Sequence, residues 1–399
     1  RFIGLMVCLG AVEMSGLDWP IYRGPDHNGI SRETGWSSDW PAGGPTIVWK
    51  ANVGIGFSSF AVASGRAFTM GNEDGVDTVY CFDAVKGTQL WSHAYDSELD
   101  PKFYEGGPGS TPTVDGDRVY TMSKGGDVFC FDAQTGKIRW QRQLESEEQA
   151  VITDWGFSGA PFPHGKLLLL NVGTSGMALD KLTGRTIWKS ETGEAGYSTP
   201  YPFKWQGREL FIFSSGDSYS AVRPENGESV WAAPWFTRYG VNAADPIVAG
   251  DEVFVSSGYS KGAAKFRMQA GEPEEIWRAR KFRNQFNSPV LIGGHLYGFD
   301  GDSNSRAKLK CVNWQSGEDL WERDGIGFGS LLAADGKLIV LGPQGELLVA
   351  PASPKGFKPV AKAKVLGGKC WTVPVLANGF IYCRNAAGDL VCVDVRAKK

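Results

Sequence analysis

Nine residues, Asp132-Ala-Gln-Thr-Gly-Lys-Ile-Arg-Trp140, set the pattern for most of this 399-residue chain. The frame Asp-x-x-x-Gly-x-x-x-Trp returns at Asp83/Gly87/Trp91 and Asp180/Gly184/Trp188, and in altered form at Arg223/Gly227/Trp231 and Asn313/Gly317/Trp321. Trp49 and Trp277 carry the rhythm alone. Tryptophans 49, 91, 140, 188, 231, 277 and 321 lie 42, 49, 48, 43, 46 and 44 residues apart. That is the period of a four-stranded propeller blade, and a repeat of this kind limits the fold more than any local propensity does.

Each position of the frame has a physical role. The residues before the Asp, such as Val128-Phe-Cys-Phe131, form a short apolar run bounded by turn residues, which reads as a buried strand. An Asp side chain accepts from backbone amides of the turn that follows, and Gly adopts the positive φ such turns require. Trp opens the next strand. Its indole buries a large apolar face and has one N–H to satisfy, which suits a seam between neighbouring blades. Cys81, Cys130, Cys311 and Cys392 stand two residues before the motif Asp or its substitute, where Ala178 and Ala221 also occur. A slot that accepts Ala or Cys is a small buried site, and equivalent slots in different blades are too far apart for disulfides.

The 15 tryptophans and 53 glycines agree with many packed seams and tight turns, and no long stretch has helical periodicity. Net charge is −3 and no Lys/Arg run stands out, which argues against nucleic acid as a partner. The four histidines are scattered without zinc spacing, and neither a Gly-x-Ser-x-Gly elbow nor a phosphate-binding loop is present. Two acidic stretches, Asn72-Glu-Asp-Gly-Val-Asp77 and Asp300-Gly-Asp-Ser-Asn304, are expected to be hairpin turns rather than calcium loops.

Residues 1–16 open with an apolar run too short to span a bilayer and are expected to be the remnant of a secretory signal. Residues 17–43, dense in turn formers and carrying Trp19, Trp36 and Trp40, form a strap without a repeat, expected to cover one end of a ring. Residues 44–399 then make a single all-β domain, an eight-bladed β-propeller of four-stranded antiparallel blades. Its count comes from eight innermost strands that open at Ser59, Thr111, Ala160, Thr199, Asp245, Ser288, Ser330 and Val373, several with a following Pro. Thr46–Val53 is an outer strand whose three partners appear only at the C-terminal end, so N- and C-terminal strands are expected to complete one blade and close the ring. The stretch 331–366 lacks a Trp, and Lys362-Ala-Lys-Val365 is assigned as its outer strand.

At these motifs the chain resembles the pyrroloquinoline quinone (PQQ) repeat family, over residues 44 to 395. The opening Trp19-Pro-Ile-Tyr-Arg-Gly-Pro25 is similar to the start of bacterial PQQ-like propellers. The resemblance implies the ring architecture. It leaves activity open, because the family holds quinone-dependent dehydrogenases as well as cofactor-free propellers such as outer-membrane assembly lipoproteins.

Candidate binding residues fall in the connections between an outer strand and the next inner strand, which reach the channel mouth. The aromatic candidates are Phe57, Trp155, Phe157, Tyr197, Phe286, Phe328 and Trp371, and the polar ones are Glu105, Glu194, Arg238, Arg283, Asn284 and Lys369. The longest connection, from Ser92 to Gly109, is expected to fold over the channel. No catalytic or metal-ligating set is assigned. The favoured reading is an exported, monomeric, noncatalytic binding or scaffold module in the periplasm, envelope or extracellular space, without a transmembrane span, that takes a protein or carbohydrate partner and needs no cofactor. The alternative is a PQQ- and calcium-dependent dehydrogenase oxidising an alcohol or sugar. It lacks support from the adjacent Cys-Cys pair of the family's alcohol dehydrogenases, which this sequence does not contain.

Overall fold

The structure, a computed structural model, describes residues 17–269, 272–301 and 306–397. The signal assigned to residues 1–16 lies outside the described residues. Among the described residues the secondary structure is nearly all strand, and no helix is long and apolar enough to cross a membrane.

The strands form eight antiparallel four-stranded blades. Blades 1 to 6 begin with the strands Ala61–Ala63, Thr113–Asp115, Phe162–His164, Tyr201–Trp205, Ile247–Ala249 and Val290–Ile292, and blade 7 with Ser330–Ala334. Blade 8 takes Val375–Ala377, Phe380–Arg384 and Asp389–Asp394 from the C-terminal end and its outer strand, Thr46–Asn52, from the N-terminal end. The pairing Thr46↔Asp394 to Asn52↔Asp389 closes the ring. Ala361–Lys364 is the outer strand of blade 7. The stretch at Asn72 is a hairpin between Arg66–Glu73 and Val76–Asp83, whereas residues 302–305 of the second acidic stretch lie outside the described residues.

The seams show why the repeat has its spacing. Trp49 donates its indole N–H to the carbonyl of Ala84 in the next blade (2.9 Å), Trp91 to Ala133 (3.1 Å), Trp140 to Lys181 (3.1 Å), Trp188 to Pro224 (2.7 Å) and Trp277 to Trp314 (3.1 Å). In each case the acceptor follows the motif Asp or its substitute. The indole also lies on the motif Gly of that next blade: a Cβ at Gly87, Gly136, Gly184, Gly227 or Gly317 would come within 2.5–2.8 Å of ring atoms. These glycines have φ of 70–74°, so conformation and contact both require the missing side chain. Asp132 Oδ1 accepts from the Gln134 and Thr135 amides, fixing the turn that carries Gly136. The Cys slot pairs across the strands with the Trp, as in Cys130↔Trp140 and Cys392↔Trp49. The six described cysteines are buried and unbridged.

Around the channel the polar residues that open the inner strands tie blade to blade. The Ser59 amide donates to Thr111 Oγ1 (3.1 Å), Ala160 to Thr199 Oγ1 (3.1 Å), Thr199 to Asp245 Oδ1 (2.8 Å) and Asp245 to Ser288 Oγ (2.7 Å), while Ser330 Oγ donates to the Thr372 carbonyl (2.9 Å). Backbone donors that would otherwise be buried without partners are thereby satisfied.

Residues 17–43 thread the opposite end of the channel and touch every blade. Trp19 bridges Val62, Pro20 accepts from the Val114 amide, Ile21 packs with Phe162 and Phe211, and Ile30–Ser31 pairs in parallel with Ala333–Ala334. Ser31 reaches the Leu376 carbonyl, and the Glu33 carboxylate accepts from the Gly379 amide. Arg23 extends up the channel to the carbonyls of Ser288 (3.2 Å) and Pro289 (2.8 Å), 3.9 Å from the buried carboxylate of Asp245.

Candidate functional site

The connections from outer to inner strands gather at the end of the channel facing away from residues 17–43, and their side chains form two aromatic arcs. In the first, Trp371 touches Phe286 (ring centroids 5.3 Å), Phe57 (5.8 Å) and Phe328 (5.9 Å), and Phe286 packs edge-on against Phe328 at 4.9 Å. Tyr104 extends the arc from Phe57 at 5.5 Å. In the second, Trp155 meets Tyr197 at 6.2 Å and Tyr239 at 6.3 Å, and Tyr239 meets Tyr259 at 5.5 Å. Burial, and then the charges of Asp100 and Tyr197, push the Tyr104 hydroxyl up to about 12.

The connection at 97–109 crosses this mouth and is pinned at both sides. Lys124, buried beneath it, donates to the carbonyls of Leu99 (3.3 Å) and Asp100 (3.2 Å) and to the Asp100 carboxylate (3.3 Å). Burial lowers the Lys124 ammonium, and Asp100 opposes that shift. Glu105 pairs with Lys369 at 2.7 Å, and Lys369 lies 4.3 Å over the Trp371 ring. Lys102 donates to the Asp154 carbonyl (2.9 Å), and its own carbonyl accepts from the Trp155 indole (3.3 Å). At the tip, Phe103 is fully exposed with φ of 63°.

The candidate residues therefore separate. Phe57, Glu105, Trp155, Tyr197, Phe286, Lys369 and Trp371 line the mouth, with Phe328 buried beneath them. Glu194 and Arg238 are exposed on the flank of the second arc, and Arg238 lies 4.9 Å over Tyr239. Phe157 is buried in the seam of blades 2 and 3. Asn284, wholly buried, donates to the Phe299 carbonyl at 2.8 Å. Arg283 turns to Asp300 at 2.8 Å, and Lys310 approaches the same carboxylate at 3.1 Å. Burial would raise Asp300, but these cations hold it below the usual carboxylate range. Sequence reasoning missed Tyr239, Tyr259 and Lys124. Tyr239 is the neighbour of a chosen residue in the same connection, whereas Tyr259 and Lys124 sit on hairpins within blades, which repeat spacing does not mark as facing the mouth.

A ring of eight such blades with these seams is a propeller of the PQQ-like repeat class. The family model described as outer membrane protein assembly factor BamB matches residues 77–323, and the chain belongs to that family. No curated protein sequence matches it. Among solved structures it is similar to BamB from Moraxella catarrhalis (TM-score 0.63, 15% identity, covering 88% of this chain and 99% of that one). It is also similar to the quinohemoprotein alcohol dehydrogenases of Pseudomonas putida HK5 (0.69, 14%, 96% and 81%) and Comamonas testosteroni (0.68, 13%, 96% and 81%). At these identities the likeness is one of fold.

Proposed function

We propose that this chain is an exported, noncatalytic propeller of the cell envelope that holds a protein or carbohydrate partner at its aromatic mouth. The observation that carries the reading is the collar of partly exposed rings with Phe103 presented above it. Surface aromatics gathered on one face, with polar groups at the rim, are the usual composition of a recognition surface. The family description, which names an outer-membrane assembly factor, supports an envelope role.

The residues present do not fit calcium-bound PQQ. Calcium takes six to eight oxygen ligands, and among the described residues no three His, Cys, Asp or Glu side chains converge to hold a metal ion. The mouth carboxylates Glu105 and Asp100 are engaged by Lys369 and Lys124. The rings of Phe57, Phe286, Phe328 and Trp371 pack on one another, where a planar quinone would need a slot between them.

The test is to pan the purified protein and its Phe103→Asp/Trp371→Ala variant against displayed peptides and glycans, with a parallel PQQ and calcium titration followed by dye reduction. Ligands retained by the wild type and lost by the variant are expected. Ligands indifferent to the variant, or calcium-dependent turnover with PQQ, would overturn the reading.

A further inference from the structure

The seams differ in the half nearer the mouth. Where an outer strand runs three or more residues beyond the seam tryptophan, the residue four after that tryptophan comes back against the next blade and fills the space. Tyr95, four after Trp91, packs on Phe129 at 4.9 Å. Leu144, four after Trp140, and Trp235, four after Trp231, are wholly buried between blades 2 and 3 and between blades 4 and 5. Behind Val53, four after Trp49, the backbone closes in: a Cβ on Gly71 would lie 1.8 Å from the Val53 carbonyl oxygen. In blade 7 Ala361 stands in the tryptophan place, and the fourth residue is only Val365. Opposite it blade 8 has Val391, in the register position that Phe129 holds in blade 2. Trp36 fills the other half of this seam, but here a groove of about 440 Å³ opens. Ring closure fixes the distance between blades, so the surroundings relax only partly into the space that small residues leave.

The groove has apolar walls and a cationic rim. Val365, Leu366, Leu390 and Val391 form the walls, and Lys50 and Lys364 stand at the edge. Lys364 reaches Glu346 at 3.3 Å, whereas Lys50 is exposed and has no ion-pair partner among the described residues. Asp389, at the same edge, accepts from the side-chain amides of Asn52 (2.9 Å) and Asn385 (2.8 Å). Another seam shows what fits such a place. Arg278 follows Trp277 in blade 5 as Lys50 follows Trp49 in blade 8, and its guanidinium lies 5.0 Å over the Trp235 ring. Between blades 4 and 5 the chain supplies both ring and cation; between blades 7 and 8 it supplies the cation and the space.

We propose that this groove docks a peptide segment of a partner protein, which inserts an aromatic side chain between Val365 and Val391 under the Lys50 ammonium and carries an acidic residue beside it. The ring buries apolar area and offers its face to the cation, as Trp235 does for Arg278. The carboxylate pairs with Lys50 and Lys364, whose two charges outweigh that of Asp389. The site lies on the outer rim, apart from the mouth, and does not depend on the mouth being a recognition face.

The test is a proton NMR titration with the probe N-acetyl-Asp-Trp-amide and its controls N-acetyl-Asp-Ala-amide and N-acetyl-Asn-Trp-amide. Saturable binding of the first probe is expected, with none for the alanine control and about threefold weaker binding for the asparagine control, the size of an exposed ion pair. Lys50→Gln should weaken the first probe roughly fivefold, through loss of the ion pair and of the cation over the ring. Val365→Trp places in the groove the ring that Trp235 supplies between blades 4 and 5 and should abolish binding, with circular dichroism confirming the fold; Lys50→Gln, at an exposed side chain, decides the matter even if Val365→Trp does not fold. Equal binding of the alanine control, an unchanged affinity in Lys50→Gln, or binding retained by a folded Val365→Trp would overturn the proposal. Self-association in sedimentation that Val365→Trp abolishes would assign the groove to a second copy of the chain and overturn the peptide reading. Ligands panned at the mouth should be retained by Lys50→Gln, and their loss would show one site rather than two.

Discussion

Two buried charges show how single residues hold the ring together. Arg384, fully buried in blade 8, donates to the carbonyls of Ser58 (2.8 Å) and Met70 (2.7 Å) and to Thr69 Oγ1 (3.1 Å), all in blade 1 or the connection leading to it. Desolvation lowers the guanidinium to about 9, so it is a clasp made of neutral acceptors across the closing seam. Asp245 is the reverse case: burial pushes its carboxyl up to about 6, opposed by Arg23 and the Thr199 amide. Because the folded value exceeds the unfolded one, near 3.9, the native state holds the extra proton between them. Stability from this site is full below about pH 4 and falls as pH rises toward about 6, by at most roughly 3 kcal/mol. Urea unfolding of wild type and Asp245→Asn across pH 4 to 7 should show the wild type losing ground to the variant over that interval. A pH-independent difference would refute the assignment.

At the scale of elements, the seam of blades 7 and 8 stands out because no tryptophan of the repeat enters it. In blade 7 the register places Ala361, opposite Val349, where other outer strands carry Trp. The seam is filled from outside the repeat. Trp36, 4% exposed, joins the cluster that contains Ala361, Ala363 and Val395, and the Ser37 amide donates to the Val395 carbonyl at 2.6 Å. Val395 follows the motif Asp394, so its carbonyl is the acceptor that an indole N–H occupies in other seams. Residues 33–44 thus run from the channel to the outer edge through the one gap that lacks its own tryptophan. Replacing Trp36 with Ala should cost about 3–5 kcal/mol, as should Trp140→Ala in an ordinary seam. Chemical denaturation compares them, and a loss below about 1 kcal/mol for Trp36→Ala would show that the gap is filled otherwise.

The whole molecule depends on a strand borrowed from the far end of the chain. Only when Thr46–Asn52 pairs with Asp389–Asp394 does blade 8 acquire its fourth strand, and the contact is strongly non-local. A chain ending at residue 388 should therefore lose cooperative unfolding and bind dyes of exposed apolar surface. An unchanged, single calorimetric transition would contradict this.

The repeat spacing marked the blades, and the eight inner-strand openings with the unpartnered outer strand at 46–53 gave their number and the closing strand, because each unit buries its faces only against copies of itself and so repeats the same residues in register. Phe57, Phe286 and Trp371 were legible for the same reason: each precedes an inner strand, a position that topology sends to the mouth. What the tertiary structure decided lies outside the repeat. That Asn284 and Arg283 turn to Phe299 and Asp300, that Trp36 fills the seam of blades 7 and 8, and that Tyr239 packs edge-on against Trp155 are facts about distance between connections remote in sequence. Closing a ring fixes those distances, and no local propensity encodes them.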